Sequence, residues 1–297
     1  MVHTKPRGIH SARRSQTLLL VIPLAILLFM YVVPNALNFV YAWTDWNSFR
    51  PEVQFVGFDN FTSLMNGGAL GQALRVTLVY AVCVAIFQNV LALAFALGLE
   101  RPTRAHRAMR VLIFIPVLLS PLAAGYIFKG ILSYEGVLNE VLSFLGGTEV
   151  RVEWLGSPEW TIVWLAAIHA WKFFGLSALI YLAGLSAIPQ EYTEAATLDG
   201  AGYWKTFLAV RWRLLAPAFT INLVLTVIGA LSGIDVILAT TQGGPGGSTQ
   251  VLNMFVFQQF GFGAFGRSTA MTLLLFVVIV VIAIPLVAYL RRREIEQ

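Results

Sequence analysis

The sequence is short of charge, of cysteine and of histidine, and each shortage closes a class of function. Of 297 residues only 12% are charged while 58% are hydrophobic, against about 25% charged in a soluble domain, which excludes a water-soluble globular fold. The lone cysteine, Cys83, cannot form an internal disulfide, so no redox compartment follows from it. The four histidines are His3, His10, His106 and His169, and no two stand at helical metal-ligand spacing. HExxH is absent, which removes an intramembrane zinc protease, and no Walker phosphate loop occurs, which removes ATP hydrolysis by that mechanism. Gly175-Leu-Ser-Ala and Gly184-Leu-Ser-Ala faintly resemble serine-nucleophile strings, but small residues at a helix interface explain them better.

What the chain does hold is long apolar runs. A bilayer-spanning helix needs about 20 mostly apolar residues, and six blocks reach that length: 17–43, 73–99, 109–133, 160–188, 218–241 and 269–290. The leader before the first block carries Lys5, Arg7, Arg13 and Arg14. The run behind it is too long for a signal peptide and lacks a small-residue cleavage site, so a retained first helix is expected. Pro34 should kink that helix or end its regular part. No internal repeat is visible, and no broken helix is expected at the midplane, which argues against a stand-alone secondary transporter.

The charges between the blocks choose an orientation. The tails and the loops near 100–110 and 189–217 hold 14 of the 20 Lys and Arg, while the other loops hold eight acids and only Arg50, Arg151 and Arg267. The positive-inside rule then puts both termini in the cytoplasm. Trp43, Trp46, Trp154 and Trp160 fall near the expected outer interface, as amphipathic rings do. Outside, residues 55–64 should form a short interfacial helix, 241–249 a Gly/Pro-rich turn, and 251–265 a re-entrant or interfacial segment. The basic balance therefore reports orientation, and no basic face suited to nucleic acid is present.

The loop at 189–217 is the most informative. Pro189 suits the first position of a helix, Glu191 and Glu194 its N-terminal half, and Gly200 the left-handed residue that ends one. A second helix can start near Tyr203, with Trp204, Phe207, Leu208 and Leu215 on one apolar stripe. Ala195 and Ala196 keep the first helix thin enough to enter a groove on a partner.

Glu194-Ala195-Ala196, three residues and Gly200 resemble the EAA loop of binding-protein-dependent ABC importer permeases. Phe55-Val-Gly-Phe-Asp-Asn-Phe and Asp235 through Gly243-Gly-Pro-Gly-Gly-Ser-Thr are similar to the oligosaccharide and glycerol-phosphate branch of that family. The family pattern continues toward Leu-Pro, where this chain has Trp212 and Arg213, and Pro217 matches a second proline of the sugar members. The resemblance implies an all-α membrane protein of six helices, without catalysis of its own, in a bacterial or archaeal cytoplasmic membrane. It divides the chain into a cytoplasmic tail 1–16, a first helix and outer loop 17–70, a permease core 71–290 and a tail 291–297. It implies that Glu194, Ala195, Ala196, Asp199 and Gly200 couple to an ATPase. The implied partners are a second homologous permease, two ATPase subunits that bind the ATP, an extracytoplasmic solute-binding protein, membrane lipid and a sugar or polyol. No cofactor, metal or nucleic acid is implied for the chain itself, and a six-helix secondary transporter or channel is the alternative.

Ionisable residues inside apolar runs are functional candidates. Lys172 lies near the middle of the fourth block beside His169 and Trp171, and Asp235 lies in the outer part of the fifth. Both suit either a lining of the path or a pairing with each other or with carbonyls. Asn89 and Asn222, with Gln88, suit the path or interhelical hydrogen bonds. Lys129 suits snorkelling to the interface.

Overall fold

The computed structural model describes residues 19–101, 103–292 and 294. The tail 1–16, with its four basic residues, and Arg293 lie outside the described residues. All regular structure among those described is helical, apart from one isolated bridge between Thr44 and Phe55.

Helix α1, Leu19–Tyr41, is long and apolar enough to span. Pro34 neither ends nor breaks it. Proline offers no N–H to the carbonyl four residues back, and the helix widens into a π turn at Leu28–Val32 before resuming. Here the Val33 N–H reaches back five residues to the Leu28 carbonyl. The short helix α2, Asp59–Asn66, falls where an interfacial helix was expected. Its Asn60 donates to the Ala42 and Thr44 carbonyls at 3.0 and 2.8 Å, closing the end of α1.

Helix α3, Ala69–Gly98, is followed by α4, Arg104–Leu118, α5, Pro121–Ile131, and the short α6, Val137–Gly146. The third apolar run is therefore not one helix. It is bent by 95° between α4 and α5, which corrects the expectation of an unbroken span. Two prolines and a serine account for the break. Pro116 weakens the last turn of α4, Ser120 caps α5 by accepting from the Ala123 N–H at 3.1 Å, and Pro121 takes the first helical position.

Helix α7, Thr161–Ser186, is the centre of the bundle and the most buried of the spans. It packs along α3, and α4, α5 and α10 also lie against it. Small residues allow this. A Cβ on Gly175 would collide with the Ile113 carbonyl of α4, and one on Gly184 with Ala218 of α10. Without water to expel, such close approach is what holds helices together in lipid. The two Gly-Leu-Ser-Ala strings are thus packing surfaces.

After α7 come α8, Gln190–Leu198, and α9, Tyr203–Thr206. A π turn at Phe207–Arg211 and a single turn at Trp212–Leu214 lead into α10, Ala216–Ser232. Pro189 is the N-cap of α8 rather than its first residue. Trp212 and Arg213, standing where the family pattern has Leu and Pro, leave the approach to α10 helical. The fifth run is broken as well, at Gly233, before α11, Asp235–Thr240. Helix α12, Leu252–Gly261, buries Leu252 and Met254 and packs on α13, Phe265–Arg291. Among the described residues five helical runs, with α10 and α11 counted as one, are long and apolar enough to span, and the bent α4–α5 pair brings them to six when taken as one span.

Candidate functional site

Two regions gather the candidate residues: a cavity inside the bundle, and the helix-turn-helix α8–α9 that projects from one end of it. The cavity, about 360 Å³, lies between α3, α7, α10 and α11. Its polar lining is Tyr80 and Gln88 from α3, His169 and Ser177 from α7, Asn222 and Thr226 from α10, with Asp235 at the start of α11. The spacing explains the convergence. Tyr80 and Gln88 are eight apart, as are His169 and Ser177, so each pair shares one face of its helix.

Most of these groups are already tied. The Tyr80 hydroxyl and His169 Nδ1 lie 3.0 Å apart, and Gln88 Nε2 donates to Ser177 Oγ at 2.8 Å. Gln88 Oε1, on a side chain only 6% exposed, has no partner. A buried acceptor left open costs about 1–3 kcal/mol. The Phe173 ring supplies an apolar face nearby. This is a hydrogen-bonding pocket with one carboxyl group, Asp235, at its margin.

The four residues singled out in the spans divide. Asn222 and Asp235 line the cavity. Asn89 stands behind it, where its Oδ1 accepts from the Tyr181 hydroxyl at 2.7 Å and from Asn222 Nδ2 at 3.2 Å, tying three helices. Lys172 is 1% exposed and turns away from the cavity to donate to the Val117 carbonyl at 3.2 Å. Its ammonium thus meets carbonyls, and an ion pair with Asp235 is not among the two found in the described residues. Lys129 is exposed near the end of α5. Tyr80, Ser177 and Tyr181 were missed by the sequence reading. An eight-residue spacing from Gln88 and His169 was the available signal for Tyr80 and Ser177, and Tyr181 had none.

Across the bundle end, α8 buries no residue at all. Glu194, Ala195 and Asp199 are exposed and Ala196 half-buried. The chain then reverses at Gly200, which has φ +78°. Glycine enters that region without the clash a Cβ would bring. The Ala201 N–H reaches back to the Ala196 carbonyl at 2.9 Å, closing the helix end in a Schellman turn. The expected apolar stripe is split. Phe207 and Leu215 are buried while Trp204 and Leu208 are exposed, and a π turn at Phe207–Arg211 interrupts the stripe.

That same turn directs Arg211 inward to a salt bridge with Glu100 at the end of α3. Arg110 of α4 donates to the Leu99 carbonyl at 2.7 Å and the Glu100 carbonyl at 3.1 Å. The helix-turn-helix is thereby tied to two spans. An open cleft of about 1250 Å³ remains beneath it, lined by His106, Thr193, Glu194 and Tyr203 among others. Among the described residues no three His, Cys, Asp or Glu side chains gather as a metal site.

A family model described as a binding-protein-dependent transport system inner membrane component matches residues 10–295. The chain is 28% identical over 91% of both lengths to the probable starch degradation products transport system permease protein AmyD of Thermoanaerobacterium thermosulfurigenes. It is 28% identical to the multiple sugar-binding transport system permease protein MsmF of Streptococcus mutans, covering 93% of this chain and 95% of that one. Its fold matches a bacterial alginate ABC transporter, solved in complex with an alginate pentasaccharide-bound periplasmic protein, at a TM-score of 0.80 and 21% identity over 93% of each chain. With nearly its whole length matched, the chain belongs to the family of binding-protein-dependent transport system inner membrane components.

Proposed function

We propose that the chain is the permease subunit of an ATP-driven importer, carrying a sugar or related polyol across the cytoplasmic membrane by alternating access. The observation that carries the reading is the pairing of a hydrogen-bonding cavity within the spans with an uncovered helix-turn-helix at one end. Sugar hydroxyls both donate and accept, as a lining that includes Asn222, Thr226 and Asp235 calls for. The permeases it resembles in sequence are named for starch degradation products and for multiple sugars.

In this reading Asn222 and Asp235 face the path, with Asn89 and Lys172 supporting it from behind. Glu194, Ala195, Ala196, Asp199 and Gly200 dock in a cleft of an ATPase subunit. ATP is bound there, a second homologous permease completes the path, and an extracytoplasmic binding protein delivers the solute. The core runs over residues 71–290, the coupling loop over 189–217, and both termini are cytoplasmic.

Two measurements test it. Affinity purification of the chain from its native membranes should bring down a Walker-motif ATPase, identified by mass spectrometry, and its absence from a folded preparation would defeat the reading. Single cysteines in a Cys83→Ser background should react with an impermeant reagent at Thr148 in intact cells and be protected at Thr103 and Thr197. The reverse pattern would invert the orientation.

A further inference from the structure

The break between α4 and α5 falls within an apolar run and, in the six-span reading, inside the membrane. With 15 residues, α4 is about 22 Å long at 1.5 Å per residue, less than the roughly 30 Å of hydrocarbon. A helix that stops there leaves carbonyls that no water can satisfy. The donor side of the break is covered by its own sequence. Ser120 Oγ accepts from the Ala123 N–H, and Pro121 has no N–H to leave orphaned. The acceptor side is covered partly by its own chain, where the Leu119 N–H reaches the Pro116 carbonyl at 3.3 Å, and partly from another helix. Lys172 Nζ of α7 lies 3.2 Å from the Val117 carbonyl and 3.5 Å from that of Pro116.

Gly175, three residues along the same face of α7, brings the two backbones close enough for this reach, since any Cβ there would strike the Ile113 carbonyl. Beyond the break, α5 crosses to α11, where Gly125 admits the backbone of Val236. Pro121 and Phe173 both line the cavity, and the Lys172 ammonium sits 4.5 Å over the Phe173 ring.

We propose that Lys172 is a positioning residue: its ammonium caps the membrane-buried C-terminus of α4, fixes the angle at which α5 departs, and so sets one wall of the cavity. A cation at a helix C-terminus is favoured by the helix dipole, and within lipid the alternative at Val117 is a bare carbonyl. The proposal depends on the geometry of the break alone and holds whatever solute is carried.

Nitroxide pairs in the full-length Cys83→Ser chain, held in lipid nanodiscs, test it by pulsed electron resonance. One pair, at Val111 and Ile127, spans the break; a control pair, at Val90 and Ile221, joins α3 to α10 without crossing it. Lys172→Met should broaden the first distance distribution at least twofold and leave the control unchanged. Lys172→Arg, which keeps a cationic donor, should restore the narrow distribution. Should the Met variant fail to insert, Lys172→Gln, with one neutral amide, should give intermediate broadening of the first pair alone. Equal broadening of both pairs, or of neither, overturns the assignment.

Discussion

The cavity and the helix-turn-helix lie in the same chain and are built on opposite terms. Around the cavity nearly every polar group has an internal partner, and Tyr181, Asn222 and Lys172 are at most 1% exposed. On α8 no residue is buried, and Leu198 stands 89% exposed at its end. The first region is finished by the chain itself. The second is rigid in backbone but uncovered in side chain, which is the state of a surface made for another protein. Substitutions in the first should therefore register in stability, and those in the second in energised transport.

The largest effect should come from Gly200→Val and Glu194→Lys. Valine at φ +78° meets a conformation closed to β-branched residues, costing about 1–3 kcal/mol locally, and the lysine reverses a charge on the docking face. Both variants should insert normally yet lose more than about tenfold in ATP-driven uptake measured in vesicles. Wild-type uptake by both would erase the contrast. Next, Gly175→Val drives its side chain into the α4 backbone. Overpacking of that kind costs about 1–3 kcal/mol, visible as a lowered melting temperature in detergent. Asn89→Ala is smaller. It removes the acceptor for Tyr181 and Asn222, and hydrogen bonds between membrane helices are worth about 0.6 kcal/mol, at most about 1.7. Smallest in stability is Leu198→Ser, within about 0.5 kcal/mol as for other surface changes. The same variant should still reduce the ATPase recovered with the chain, and an unchanged yield would remove Leu198 from the docking face.

The sequence made the spans and the turn at Gly200 legible because both are local. A run of apolar residues measures its own length, and a glycine after a helix announces the conformation it adopts. The break between α4 and α5 was not legible, since hydropathy counts residues and carries no direction. Pro116 and Pro121 both sit inside an unbroken apolar run, and only Ser120 between them changes the path. Lys172 was legible as a charge needing a partner, but its partners are backbone carbonyls 55 and 56 positions away. Glu100 and Arg211, 111 positions apart, meet only because a π turn rotates one toward the other. Asn89 and Asn222 read equally well as path or as glue, and three-helix packing places one behind the cavity and the other on its surface.

The way α1 is fastened bears on the thickness of the bilayer that can hold this chain. Its 23 residues make about 34 Å of helix, a few ångströms more than an average hydrocarbon layer. Asn60 bolts one end, and Phe39 rests edge-on against Phe276 of α13, but Leu19 through Val32 lie uncovered. Such a helix takes up a thinner membrane by tilting further about its bolted end, at a fraction of a kcal/mol per ångström. The central α7, gripped on several sides, has no such freedom, so the adjustment falls to α1 and leaves the cavity undisturbed.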